Sequence, residues 1–146
     1  MELKEFNSLI DLYFHQAKKQ KSKSDFLEWL NPKNKVKYTW EQTSLNIYKL
    51  ANIIKGNIKD NDRCLLISEN RPEWLISDIA IMLANGITVP AYTTYTAKDY
   101  NYLIEDCEPS IIIVSNNLIH DKLKHIIKEK TFIKKVITFD EISQVN

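Results

Sequence analysis

Residues able to do chemistry are sparse in this 146-residue chain, and the polar ones gather in two short stretches. The first is Asn70-Arg71-Pro72-Glu73-Trp74. If it opens a helix, Arg71 could reach an anion there, because the free N–H groups and dipole of a helix N-terminus attract negative charge. The same five residues also read as plain capping. Asn70 with Glu73 makes an N-x-x-E box, Pro72 suits the first turn, and Trp74 can enter the core. The second stretch, Tyr92-Thr93-Thr94-Tyr95, is rich in hydroxyls, as are loops that line pockets and loops that merely cover a surface.

Other reactive side chains form no constellation. His120 and His125 are five apart, about 140° around a helix, so they do not share a face as zinc ligands at i and i+4 would. His15 lies far away in sequence, and no metal site is expected. Cys64 falls in an apolar run and Cys107 near the end of a helical one, which suggests an inert core thiol rather than a nucleophile, a disulfide framework or a metal centre. Only Gly56 and Gly86 are present, where average usage of about 7% would give roughly ten. A phosphate cradle needs several glycines, so these residues hold neither a Walker loop nor a GxGxxG turn. Any phosphate loop lies elsewhere.

Composition bounds the class. With 44% hydrophobic residues the chain can bury an ordinary core, and 20 basic against 19 acidic residues make a field too weak to argue for nucleic acid. The N-terminus lacks the apolar heart of a signal peptide and no run approaches a membrane span, so a cytoplasmic setting is the default.

The elements that must position these residues can be read from periodicity. Phe6, Leu9, Ile10, Tyr13, Phe14 and Ala17 predict an amphipathic helix over 5–18, serving core packing or an oligomer contact. Lys18–Lys23 reads as a solvated loop. Residues 26–30 and 36–38, joined through Asn31-Pro32-Lys33-Asn34, predict a hairpin. Thr39 and Gln42 form a capping box for a helix with Ile47, Leu50, Ala51 and Ile54 inside, stopped at Gly56. Cys64–Ile67 is a strand apolar on both faces, followed by a helix over 72–85 that Gly86 ends.

Ile87–Val89 predicts a second strand, with Pro90 at its end, and Ala91–Thr96 a loop. Thr96 and Asp99 cap a helix carrying Tyr100, Leu103 and Ile104, and Pro109 breaks it. A strand at Ile111–Val114, a lysine-rich helix at Leu118–Lys130 and a strand at Val136–Phe139 complete a parallel α/β sheet. Ligands of such sheets bind beyond the carboxyl ends of the strands, here Ser68–Asn70, Tyr92–Thr94 and Ser115–Asn117. The end at Asp140–Asn146 supplies no closing helix and reads as truncation.

Two phrases, ENRPEW at Glu69–Trp74 and GITVPAYTTYTAKDYNYLIED at Gly86–Asp106, with YTWEQ at Tyr38–Gln42 before them, resemble the start of long-chain fatty acyl-CoA synthetases of the adenylate-forming superfamily. The likeness runs from about Tyr38 to Asn116. Asn61-Asp62-Arg63-Cys64 stands where the commoner form is GDRV, a departure that affects a turn.

The resemblance implies an incomplete α/β fold: the parallel-sheet N-terminal subdomain of an adenylate-forming enzyme, with an N-terminal helix and a β-hairpin. Residues 1–146 would be the N-terminal part of an AMP-binding domain, ending before the phosphate loop. The complete enzyme would use ATP, Mg²⁺ and coenzyme A to turn a fatty acid into an acyl-adenylate and then a thioester. A homodimer and peripheral membrane association are compatible with that picture.

The family's phosphate loop, adenine-contacting segment, magnesium-binding glutamate and C-terminal lysine have no counterpart in this sequence. No catalytic, cofactor-binding or metal-binding residue is therefore assigned, and the segment alone should be inactive. Two other readings stay open, a non-catalytic α/β binding module and an adenylating ligase for another carboxylic acid.

Overall fold

The computed structural model describes residues 5–30 and 35–139. These form, in chain order, α1 (Leu9–Lys19), β1 (Asp25–Leu30), β2 (Lys35–Thr39), α2 (Trp40–Lys55), β3 (Arg63–Ile67), α3 (Pro72–Leu83), β4 (Ile87–Ala91), α4 (Ala97–Cys107), β5 (Ile111–Val114), α5 (Asn117–Glu129) and β6 (Lys135–Thr138). β1 and β2 pair as an antiparallel hairpin. The other four strands make a parallel sheet in the order β4-β3-β5-β6. The expected turn at Asn31–Asn34 and the ending at Asp140–Asn146 lie outside the described residues.

The apolar strand runs follow from a sheet covered on both faces. Cys64, Leu66, Ile111, Ile113 and Ile137 pack with α2, α3, the hairpin and Tyr13 of α1. Their neighbours Leu65, Ile67, Ile112 and Val114 point the other way, into α4 and α5. β4 runs past the expected Val89 to Ala91, with Pro90 one residue from its end and paired with Leu66. This is tolerated because β4 is an edge strand, whose outer side needs no N–H.

Capping chemistry sets most helix boundaries. Thr39 and Gln42 exchange both bonds of a capping box (3.0 and 3.2 Å), and Thr96 with Asp99 does the same. The Asn116 side chain accepts from the Ile119 N–H, which starts α5 one residue earlier than its apolar face suggests. α1 begins at Leu9 rather than residue 5 because extended Ser8 caps it through the Asp11 N–H. Phe6 is thereby left outside the helix against His15, and Leu9, expected inside, is exposed.

Two turns depend on asparagine in the left-handed region. α3 ends at Leu83, two residues early, in a Schellman motif: Asn85 (φ 63°) donates to Met82 O at 3.0 Å and Gly86 to Ile81 O at 2.9 Å. Gly86 is therefore not the left-handed residue. It serves close approach, since a Cβ there would meet Ile58 and Ile81 carbons at 3.0 Å. Asn61 (φ 68°) occupies the turn into β3, where the GDRV form has a glycine. Asparagine tolerates that conformation at small cost.

The hairpin is fastened to the sheet by a buried ion pair. Arg71 Nε donates to Glu73 Oε2 at 2.8 Å, with the side chains 11% and 2% exposed, and Tyr38 of β2 donates its hydroxyl to Glu73 Oε1 at 3.1 Å. The Asn70–Glu73 capping box read from the sequence does not form. The N-cap position is Arg71 and its side chain makes no capping bond. Glu73 turns inward because only there can it compensate the buried guanidinium. Burial and the Glu73 charge push the Tyr38 hydroxyl well above its ordinary pKa, so it stays a donor.

Asp62 at the amino end of the sheet accepts from the Ser110 hydroxyl (2.6 Å) and the Lys59 N–H (3.0 Å), which hold its carboxyl below the usual range. Hydrogen bonds from Thr96 do the same for Asp99. Depressed folded-state pKa values give stability that is present above the unfolded pKa and lost as pH falls through the folded one.

Three outcomes are expected in denaturant and thermal melts. Asn61→Val costs about 1–2 kcal/mol while Asn61→Gly costs none. Arg71→Met or Glu73→Gln alone costs about 3–5 kcal/mol by leaving one buried charge unpaired, and the double substitution costs less than the larger single one. The melting midpoint holds from neutral pH to about pH 4 and falls below it, and Ser110→Ala weakens that fall.

Candidate functional site

The carboxyl ends of β3, β4 and β5 bring the two polar stretches of the sequence to one end of the sheet. After β3 the chain adds β4 on one side and then crosses to β5 on the other. α3 and α5, which follow β3 and β5, therefore lie on opposite faces. The crevice between their starts is the switch point at which such sheets take ligands.

Here that crevice is filled by the protein itself. Arg71 Nη1 donates to the Ser115 carbonyl at 3.4 Å, and the guanidinium carbon stands 4.6 Å from the Trp29 ring centroid and 5.1 Å from that of Phe139. With Glu73 bonded to Nε, Arg71 is a structural cation. It is not the anion-binding group that its place before a helix suggested. The β5 end is likewise occupied: Asn116 Nδ2 donates to Ser115 Oγ at 3.1 Å while its Oδ1 caps α5.

The open space lies one strand over. A cleft of about 430 Å³ separates the β3–α3 connection from the end of β4, with Ser68, Glu69, Asn70 and Trp74 on one side and residues 90–94 on the other. Its walls are held by backbone bonds. Ser68 Oγ donates to the Glu69 carbonyl at 2.7 Å, and the Tyr100 hydroxyl donates to the Tyr92 carbonyl at 2.8 Å. Tyr92 and Tyr95 meet edge to face at 5.6 Å. Of the residues singled out in the sequence, Asn70, Trp74 and Tyr92–Thr94 meet at this cleft, whereas Arg71, Glu73 and the β5 end do not.

Lysine, arginine and histidine are all missing from the cleft's lining, so nothing in it can neutralise a triphosphate. Nor do the described residues include a cluster of three or more potential metal ligands. The Cys64 thiol is buried in the sheet, and desolvation pushes its pKa up to about 12, leaving it no nucleophile. Burial raises Cys107 too. Among the described residues no helix is long and apolar enough to cross a membrane.

Sequence reading missed the roles of Tyr38, Trp29 and Phe139, which enclose the Arg71–Glu73 pair. Their partners lie up to tens of residues away in the chain, and no local spacing signals such contacts.

Comparison with known proteins places this geometry. The family described as AMP-binding enzyme matches residues 13–145. Long chain acyl-CoA synthetase 4 of Arabidopsis thaliana is 31% identical over 113 residues, which is 74% of this chain and 17% of that protein. The mitochondrial acyl-coenzyme A synthetase ACSM5 of Rattus norvegicus is 31% identical over 62% of this chain and 16% of its own length.

Among solved structures, the coronafacic acid ligase of Pectobacterium brasiliense superposes with a TM-score of 0.76 at 22% identity, covering 88% of this chain and 25% of that one. The anthranilate CoA ligase AuaEII, in complex with anthranoyl-AMP, gives 0.75 at 18%, covering 88% and 24%. This chain thus spans about a sixth of the curated relatives and a quarter of the solved ligases. The parallel sheet with its leading helix and hairpin is the one those ligases share, and the agreement in sequence over residues 13–145 makes this chain a member of the AMP-binding enzyme family.

Proposed function

We propose that residues 1–146 are the N-terminal part of an AMP-binding domain in a long-chain fatty acid–CoA ligase. Such an enzyme joins a fatty acid to AMP from ATP and passes the acyl group to coenzyme A. The observation that carries this reading is the family match over residues 13–145. The relative named as a long chain acyl-CoA synthetase supports the fatty acid.

The described residues do not fit ATP, Mg²⁺ or coenzyme A by themselves. Transfer to a phosphate needs positioned cations and backbone donors, and the cleft offers one carboxylate, neutral polar groups and aromatic rings. The part of these residues is scaffolding. The doubly covered sheet holds the β3–α3 connection and the 91–96 loop in fixed positions, against which the rest of a ligase domain can be built.

A second reading, an adenylating ligase for another carboxylic acid, is favoured by the solved ligases with anthranilate and coronafacic acid in their names. ATP–pyrophosphate exchange by the polypeptide that the whole reading frame encodes separates the two. Exchange that depends on palmitate is expected. Exchange only with aromatic or short acids would move the substrate class to the second reading. No exchange with any acid would leave a non-catalytic module. The 146-residue chain on its own is expected to show none above background.

A further inference from the structure

Glu69 is the unexplained group at the cleft. It is half-buried in the β3–α3 connection, and among the described residues its carboxylate has no hydrogen-bond or ion-pair partner, although its backbone carbonyl accepts from Ser68. Two acids elsewhere in the fold are compensated: Asp62 accepts from Ser110 and Glu105 from Lys130. A carboxylate taken partly out of water costs free energy unless a cation or donor compensates it. The cleft that Glu69 lines contains no cation of its own, since its walls carry Asn70, Trp74, Tyr92 and Thr93 beside it.

One carboxylate, two large aromatic side chains and neutral hydroxyl and amide groups around about 430 Å³ are the components that recognise an organic cation. The carboxylate supplies the opposite charge. Tryptophan and tyrosine rings attract cations through their faces, most strongly when the cation is desolvated. Phosphate or carboxylate ligands would instead be repelled. We propose that this cleft binds an ammonium or guanidinium group, with Glu69 as its counter-ion. The proposal goes beyond the ligase reading, and of the two sources of the cation only the second rests on that reading. The cation is either carried by a free amine or is a lysine or arginine side chain of the remaining polypeptide.

The test uses tetramethylammonium as probe and 3,3-dimethyl-1-butanol as the neutral control, each titrated into the 146-residue chain and followed by backbone amide chemical shifts. Saturable shifts confined to residues 68–70, 74 and 91–94 are expected with the cation. Glu69→Gln should weaken the binding at least tenfold while leaving the rest of the spectrum unchanged, and Glu69→Asp should restore part of it. Equal binding of the neutral control, an unchanged affinity in Glu69→Gln, or no saturable shift would overturn the proposal. Repeating the titration on the longer polypeptide distinguishes the sources. Binding there as well means a free amine, and binding lost there means that a side chain of the remainder already fills the cleft.

Discussion

The carboxyl end of this sheet is arranged around where one guanidinium goes. Arg71 stands at the entry to α3, the place from which a side chain could turn to solvent or to a ligand, and it turns into the protein instead. Once there it requires Glu73, because a buried cation without a counter-charge is unstable. Glu73 in turn requires the Tyr38 hydroxyl, and the flat guanidinium is flanked by Trp29 and Phe139. Three elements, β1, β2 and α3, and the residues that follow β5 and β6 are thereby tied to one charge. The hairpin, otherwise a separate two-stranded sheet, becomes part of the domain.

The same commitment divides the carboxyl end of the sheet. With the crevice between β3 and β5 filled, the accessible space moves to the edge of the sheet beside β4. The polarity there is reversed from what a nucleotide-binding crevice needs, since it is acidic and aromatic instead of rich in backbone donors and cations. That agrees with a sequence holding two glycines, and with a chain that covers a quarter of its solved relatives.

Much of the fold was legible because the signals were local. The parallel strands announced themselves as apolar runs, and the Thr39–Gln42 and Thr96–Asp99 boxes marked helix starts by spacing alone. The failures came where one residue had a choice of partners. Asn70 and Glu73 have capping spacing, yet tertiary contact with Arg71 and Tyr38 outcompeted it. Leu9 shares a face of α1 with buried Tyr13, yet at the helix's first position it only rims an open apolar groove and stays exposed. Of the site, Asn70, Trp74 and the tyrosine–threonine loop were legible as polar residues at strand ends. Their division into an open cleft and a closed crevice was not, because it depends on side chains from the hairpin and from beyond β6.

The scarcity of glycine bears on the state this chain leaves when it folds. Glycine gives the unfolded backbone more freedom than any other residue, and each replacement that keeps a compatible native conformation adds about 0.4–1 kcal/mol by narrowing the unfolded ensemble. Among the described residues the left-handed positions, 61, 85 and 108, are filled by two asparagines and a glutamate, and neither glycine has a positive φ. The protein accepts a little strain at these corners, and in return its disordered chain has fewer conformations to give up.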